Sequence, residues 1–157
     1  MMLLQTYSNP TQLWLAANPS HGDESPERDG DGEQLQARSL RVLVVEDEFF
    51  ISLDTKALLQ SMGHTVVAIA VSADQAVRLA GQEKPDVVLM DIRLAGTRDG
   101  IDAAEEIRSR FGVSSIFVTA NSDPQTRRRA QAVQPLDFLE KPLTEQRLRL
   151  CLSRVGR

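Results

Sequence analysis

Residues 40–157 predict a doubly wound α/β fold, a five-stranded parallel sheet with helices on both faces. Two observations lead there. Short apolar runs alternate with segments of helical periodicity, five of each in about 115 residues, which is the pattern of βαβ units. The turns between them carry helix-start and helix-stop residues at the expected offsets.

Leu40–Val45 is the first strand, apolar and largely β-branched, and it stops in three acids, Glu46, Asp47 and Glu48. Phe49–Met62 follows as a helix with Ile51, Leu58 and Met62 on one face and Gly63 as its stop. Thr65–Ala70 is the second strand. Ser72 has capping-box spacing to Gln75, and Ala73, Ala76, Val77 and Ala80 recur on one helical face. Pro85 precedes the strand Asp86–Met90. After a loop, Asp99 can cap a helix whose Ile101, Ala104, Ile107 and Phe111 fall at helical spacing. Ser115–Thr119 is the fourth strand, and Asp123-Pro124 places proline at the first position of the next helix. Leu136–Leu139 is a short fifth strand, and Thr144 caps a last helix ending near Ser153. Right-handed crossovers leave few arrangements of such a chain. The flavodoxin-like order 2-1-3-4-5 is the common one, and it puts a site at the carboxyl ends of strands 1 and 3.

Composition narrows the class. The 157 residues are 41% hydrophobic and 25% charged, ordinary values for a globular chain. The apolar runs are strand-length, so no membrane-spanning helix is expected, and the first twenty residues lack the plan of a signal peptide. The single Cys151 cannot form an internal disulfide, which favours a cytoplasmic setting. The net charge of −4 lies wholly in residues 1–39, with six acids and two bases; residues 40–157 carry sixteen of each. No chain-wide basic field for nucleic acid exists. Residues 18–37 are polar and Gly/Asp/Glu-rich, so 1–39 is expected to be a disordered acidic leader and 40–157 the folded domain. Leu13, Trp14 and Leu15 form a small apolar cluster within that leader, and His64, after Gly63, reads as an exposed turn residue.

In the 2-1-3-4-5 topology the strand ends gather Glu46 and Asp47 (strand 1), Asp91 (strand 3), Thr119 (strand 4) and Lys141 (after strand 5). Two like charges about 4 Å apart repel by about 4 kcal/mol at an effective dielectric near 20. Three carboxylates therefore call for a cation, and all-oxygen ligands suit hard Mg²⁺. A carboxylate can act as nucleophile to form an aspartyl-phosphate, and a hydroxyl and an ammonium can hold the transferred group.

This constellation resembles the receiver domain of two-component response regulators. The motifs are Val-Val-Glu-Asp-Glu (44–48), Val-Val-Leu-Met-Asp-Ile-Arg-Leu (87–94), Phe-Val-Thr-Ala (117–120) and Phe-Leu-Glu-Lys-Pro (138–142). The resemblance implies that Asp91 is the phosphoacceptor. It implies that Mg²⁺ is bound by Asp47 and Asp91, by Glu46 directly or through water, and by the Arg93 carbonyl. Thr119 would contact the phosphoryl group, Lys141 would pair with it, the Lys141–Pro142 bond would be cis, and Phe138 would be the aromatic that moves with Thr119. Glu48 falls where the first helix begins, where an acid suits the helix dipole.

The chain departs from the receiver pattern in the loop after Asp91, which is one residue longer than the commonest form and has Ala95 where proline is usual. Arg93 and Asn121 occupy the two variable positions flanking the site, and Pro135 stands where glycine is common.

Residues 123–157 hold eight bases against four acids, giving a basic surface on helices 4 and 5, a candidate face for an acidic partner. The chain closes soon after the fifth helix, so the expectation is a stand-alone receiver and not an enzyme beyond its own phosphoryl transfer and autodephosphorylation. The phosphoryl donor would be a histidine kinase or phosphotransfer protein, and the signal would leave through the helix 4–strand 5–helix 5 face or by onward phosphotransfer, with no direct nucleic-acid or membrane partner. Two rivals stand beside it: a receiver-fold binding module that works without phosphorylation, and a Mg²⁺-dependent phosphatase using Asp91. Against the second, no acid lies two residues after Asp91, where Arg93 stands.

Overall fold

A computed structural model describes residues 38–120 and 122–156. Residues 1–37 of the leader, with its expected disorder and its Leu13–Leu15 cluster, lie outside the described residues, as do Asn121 and Arg157.

The sheet is parallel, with order β2-β1-β3-β4-β5. Its strands are β1 (Arg41–Val45), β2 (Thr65–Ala70), β3 (Val87–Asp91), β4 (Ser115–Thr119) and β5 (Asp137–Glu140); the helices between and after them are α1 (Phe49–Ser61), α2 (Ala73–Glu83), α3 (Gly100–Phe111), α4 (Pro124–Ala132) and α5 (Glu145–Leu152). The architecture is the expected flavodoxin-like one, and no described helix is long and apolar enough to cross a membrane.

Alternation along the strands sorts the core into two layers. Leu43, Val45, Val88, Met90 and Phe117 face the alanine-rich buried side of α2, Ile101, Ala104 and Ile107 of α3 and Ala130 of α4. Val42, Val44, Leu89, Ile116, Val118 and Leu139 face Leu59 of α1 and Leu148, Cys151 and Leu152 of α5. Because both faces are covered, the strands are apolar almost throughout, and β3 is buried along its whole length, Asp91 included.

Local chemistry explains the element ends. Ser72 caps α2 by accepting the Gln75 amide at 3.3 Å, while the Gln75 side chain turns back to the Val71 amide at 2.8 Å instead of to Ser72. Asp99 caps α3 by accepting the Ile101 and Asp102 amides, and Asp102 accepts the Asp99 amide, closing a full capping box. Gly112 stops α3 in the left-handed conformation, φ 68°.

Two strands sit one residue later than the sequence predicts. β3 begins at Val87, just after Asp86, whose carboxylate accepts the Arg41 amide at 2.8 Å, and it runs on to Asp91, paired with Val118. β5 runs to Glu140, paired with Thr119.

One expectation is extended and another corrected. The inward stripe of α1 holds Leu58 and Met62, partly buried against the core, but its fully buried positions are Ser52, Thr55 and Leu59, which the apolar pattern alone does not mark. Ser52 tolerates burial because its hydroxyl donates to the Phe49 carbonyl at 2.7 Å. His64 is buried rather than exposed: its Nδ1 accepts the Leu40 amide at 3.2 Å, joining the start of β1 to the end of α1.

Burial, with Arg149 adding to it, holds the His64 pKa below its ordinary value of 6.5. A depressed imidazole contributes stability above the unfolded-state value and loses it as pH falls through the folded one. Between about pH 7.5 and 5, the wild-type unfolding free energy should therefore decline. His64→Asn, whose Oδ1 can stand in for Nδ1, should decline less; equal slopes in urea titrations would show that His64 carries none of the effect.

Candidate functional site

Four strand ends meet at one edge of the sheet. β1 delivers Glu46 and Asp47 immediately past Val45, β3 delivers Asp91 as its last residue, β4 delivers Thr119, and β5 leads through Glu140 to Lys141. Glu46, Asp91 and Thr119 are buried, whereas Asp47 and Glu48 are open to solvent or nearly so.

Lys141 is the cation among these acids. Its Nζ donates to Glu46 Oε2 at 2.6 Å and to Asp91 Oδ2 at 2.8 Å, bridging residues far apart in sequence. The other Glu46 oxygen accepts the Glu48 amide at 3.1 Å, and the other Asp91 oxygen accepts the Arg93 amide at 2.9 Å. Burial pushes the Glu46 carboxyl above its ordinary value against the pull of Lys141 and the Glu48 amide, and the charge of Asp91 adds to the rise. Burial likewise opposes the Lys141 charge, but its bonds to Asp91 and Glu46 outweigh it and hold that pKa above the usual lysine value. The ammonium is thus fixed in its charged form by the two acids it separates.

Oxygens of Glu46, Asp47 and Asp91 lie within 4.8 Å of one another. Three carboxylates against one ammonium leave a net negative charge of about two, and the donors are all hard oxygens, which fits Mg²⁺. Glu48 is outside this group; it is the N-cap residue of α1 and makes no side-chain cap bond.

The long loop after Asp91 folds back on the site. The Ala95 amide donates to Asp47 Oδ2 at 3.2 Å, a bond that proline, usual at this place in receivers, could not make. Gly100, the first residue of α3, donates to the Ile92 carbonyl at 2.9 Å. A Cβ there would lie 1.9 Å from the Asp91 carbonyl oxygen and 2.9 Å from its carbon. The sequence reading missed this contact. Its one local signal is a glycine directly after a helix cap, where a better helix former would ordinarily stand.

Thr119 closes β4, and its carbonyl accepts the Lys141 amide at 2.9 Å. The Lys141–Pro142 bond is cis. Phe138 is half-buried in β5, its ring 5.6 Å from that of Phe117, with the Arg127 guanidinium 5.4 Å from its centroid. The structure brings Glu46, Asp47, Asp91 and Lys141 into one cluster, sets Thr119 on the same edge, and places Phe138 three residues before Lys141 on the neighbouring strand.

Comparisons with known proteins agree with this geometry. The family model for the response regulator receiver domain matches residues 42–153. The transcriptional regulatory protein PdtaR of Mycobacterium tuberculosis is 38% identical over 104 residues, 66% of this chain and 50% of its own. The phyllosphere-induced regulator PhyR of Methylorubrum extorquens is 31% identical over 129 residues, 81% of this chain and 48% of its own. This chain thus spans about half the length of those curated relatives. Among solved structures, the REC domain of Erythrobacter litoralis PhyR has a TM-score of 0.65 at 37% identity, covering 74% of this chain and 89% of that one. The receiver domain of a modulated diguanylate cyclase from Desulfovibrio desulfuricans G20 reaches 0.72 at 30% identity, covering 75% and 94%.

Proposed function

The chain belongs to the response regulator receiver domain family, and on that premise we propose that it is a phosphorylation-dependent signalling switch with Asp91 as its phosphoacceptor. One observation carries this reading: Lys141 Nζ rests on Asp91 Oδ2 at 2.8 Å, at a buried carboxylate that shares its site with Glu46 and Asp47.

The donor is a histidine kinase or a phosphotransfer protein. An Asp91 oxygen bonds to phosphorus as the P–N bond of the donor's phosphohistidine breaks, and the electron pair returns to the imidazole. Both Asp91 oxygens hold hydrogen bonds, so the attacking carboxylate is fixed before the donor arrives. Lys141 can then move its contact from Asp91 Oδ2 to the incoming phosphoryl oxygens, and the Thr119 hydroxyl, on the same edge, can donate to them. Asp47 and Asp91, with Glu46 directly or through water and the Arg93 carbonyl, would hold Mg²⁺; when bound it neutralises charge on the transferred group. Phe49 and Phe50, 66% and 78% exposed at the start of α1 beside the acids, offer the donor an apolar surface.

The new group adds about −1.5 to −2 charges and biases a two-state rearrangement in which Thr119 and Phe138 move together. The signal leaves through the α4–β5–α5 face or by onward phosphotransfer. The domain works in the cytoplasm, preceded by an acidic leader of residues 1–39, and beyond its own phosphoryl transfer and autodephosphorylation it is not an enzyme.

Acetyl phosphate with Mg²⁺ should label the wild-type protein and leave Asp91→Asn unlabelled, read by intact mass. Equal labelling of both would sink the assignment, and no labelling of either would favour a receiver fold that acts by binding alone.

A further inference from the structure

We infer that Arg129 is a positioning residue, a guanidinium latch on α4 that holds the first turn of α3 and, through it, the backbone of Asp91. The inference rests on Asp91 being the phosphoacceptor, because its consequence is a second mechanical link from that residue to α4.

The latch is built on divided labour between oxygens. In the α3 capping box, Asp99 Oδ1 accepts the Ile101 and Asp102 amides, both at 3.0 Å, and Asp102 Oδ2 accepts the Asp99 amide at 3.1 Å. The remaining oxygen of each acid faces α4. Arg129 Nη1 donates to Asp99 Oδ2 at 2.8 Å and Nη2 to Asp102 Oδ1 at 3.3 Å. One planar fork thus closes over both acids of the cap without competing with it. Burial alone would raise the Asp99 pKa, but Arg129 and the capping amides overcome it and hold it low, so the carboxylate stays charged at neutral pH.

What the latch holds is the phosphoacceptor's own chain. Gly100, between the two acids, bonds the Ile92 carbonyl and packs against the Asp91 carbonyl so closely that no Cβ fits. Any shift of Asp99 and Asp102 with α4 is therefore passed to Asp91 through rigid backbone contacts.

α4 depends on such ties because it buries only Ala130 of its nine residues. Two positions before Arg129, Arg127 sits over the Phe138 ring. The same short helix thus carries one arginine on the aromatic of β5 and another on the loop of the phosphoacceptor. Arg127 and Arg129 of the basic run Arg127-Arg128-Arg129, though exposed, are thus already engaged with groups of their own chain.

Amide hydrogen exchange tests this with two substitutions. Arg129→Gln removes the fork, and Asp99→Asn keeps a good N-cap while removing the charge it grips. In unlabelled protein, each should speed exchange about two- to fivefold in α4 and also at the Ile101 and Asp102 amides, the range a partly exposed ion pair supports. The double variant should add little to either, and Arg129→Lys, which cannot span both acids, should fall between. Loosening confined to α4, or additive effects in the double variant, would overturn the latch. After acetyl phosphate treatment, labelled wild type should change α4 exchange and labelled Arg129→Gln should change it less than half as much. An equal response would also overturn it. Absence of labelling in wild type would refute the phosphoacceptor reading instead, and the unlabelled exchange data would still decide whether Arg129 grips α3.

Discussion

Replacing Gly100 with alanine is expected to unseat the phosphoacceptor. The added Cβ would lie 1.9 Å from the Asp91 carbonyl oxygen, 2.9 Å from its carbon and 3.0 Å from Met90 Cγ. Two of these neighbours are backbone atoms of a buried central strand, which no rotamer change can move. The other side is equally fixed, because the Asp99 capping box and the Gly100–Ile92 bond pin the start of α3. Something must shift by about an ångström, and overpacking of this kind typically costs about 1–3 kcal/mol. Helix propensity alone predicts the opposite sign, a gain of up to about 1 kcal/mol for alanine over glycine. Urea denaturation therefore separates the two effects cleanly. Labelling of Asp91 by acetyl phosphate should fall about a hundredfold, the penalty of misplacing a reacting atom by that distance. A variant as stable as wild type and labelled at its rate would mean that the contact is soft.

Lys141→Met should have the second large effect, first on stability and then on chemistry. The ammonium is the partner of two buried carboxylates, Glu46 and Asp91, whose side chains are 5% and 8% exposed. Removing one member of a buried charge pair leaves uncompensated charge and typically costs about 3–5 kcal/mol. The loss should shrink when Mg²⁺ is added, because a divalent ion can take over the neutralisation. Thermal unfolding with and without Mg²⁺ measures this: the ion should raise the midpoint more in Lys141→Met than in wild type. An unchanged midpoint in the metal-free variant would show that Glu46 accommodates its burial by taking up a proton.

Much of this was legible in the sequence because the information is local. Five covered strands are five apolar runs, and Ser72, Asp99 and Asp123 announce helices by chemistry completed within three residues. The strand ends then placed Glu46, Asp47, Asp91, Thr119 and Lys141 on one edge by topology alone. What was illegible is set by distant partners or by shape. The deepest positions of α1 were not marked by the apolar pattern because they include Ser52 and Thr55, while Phe49, Phe50 and Leu53 point outward. His64 gave no sign of burial because its partner, the Leu40 amide, is 24 residues away. The acids after β1 implied a cation, and the sequence pointed to a metal; topology had already brought Lys141 to this edge, but only the structure shows it bonded directly to Glu46, 95 residues away, and to Asp91.

The Ala95 amide on Asp47 ties two behaviours together. A carboxylate that anchors a loop and is also a proposed ligand for an ion cannot serve one role without registering the other. By thermodynamic reciprocity, whatever factor a bound ion exerts on the ordering of residues 92–99 must be returned by anything that grips those residues from outside. A protein that docks on this loop would then tune the ion affinity of the site without touching it, and a chain with proline at position 95 would lack that means of control.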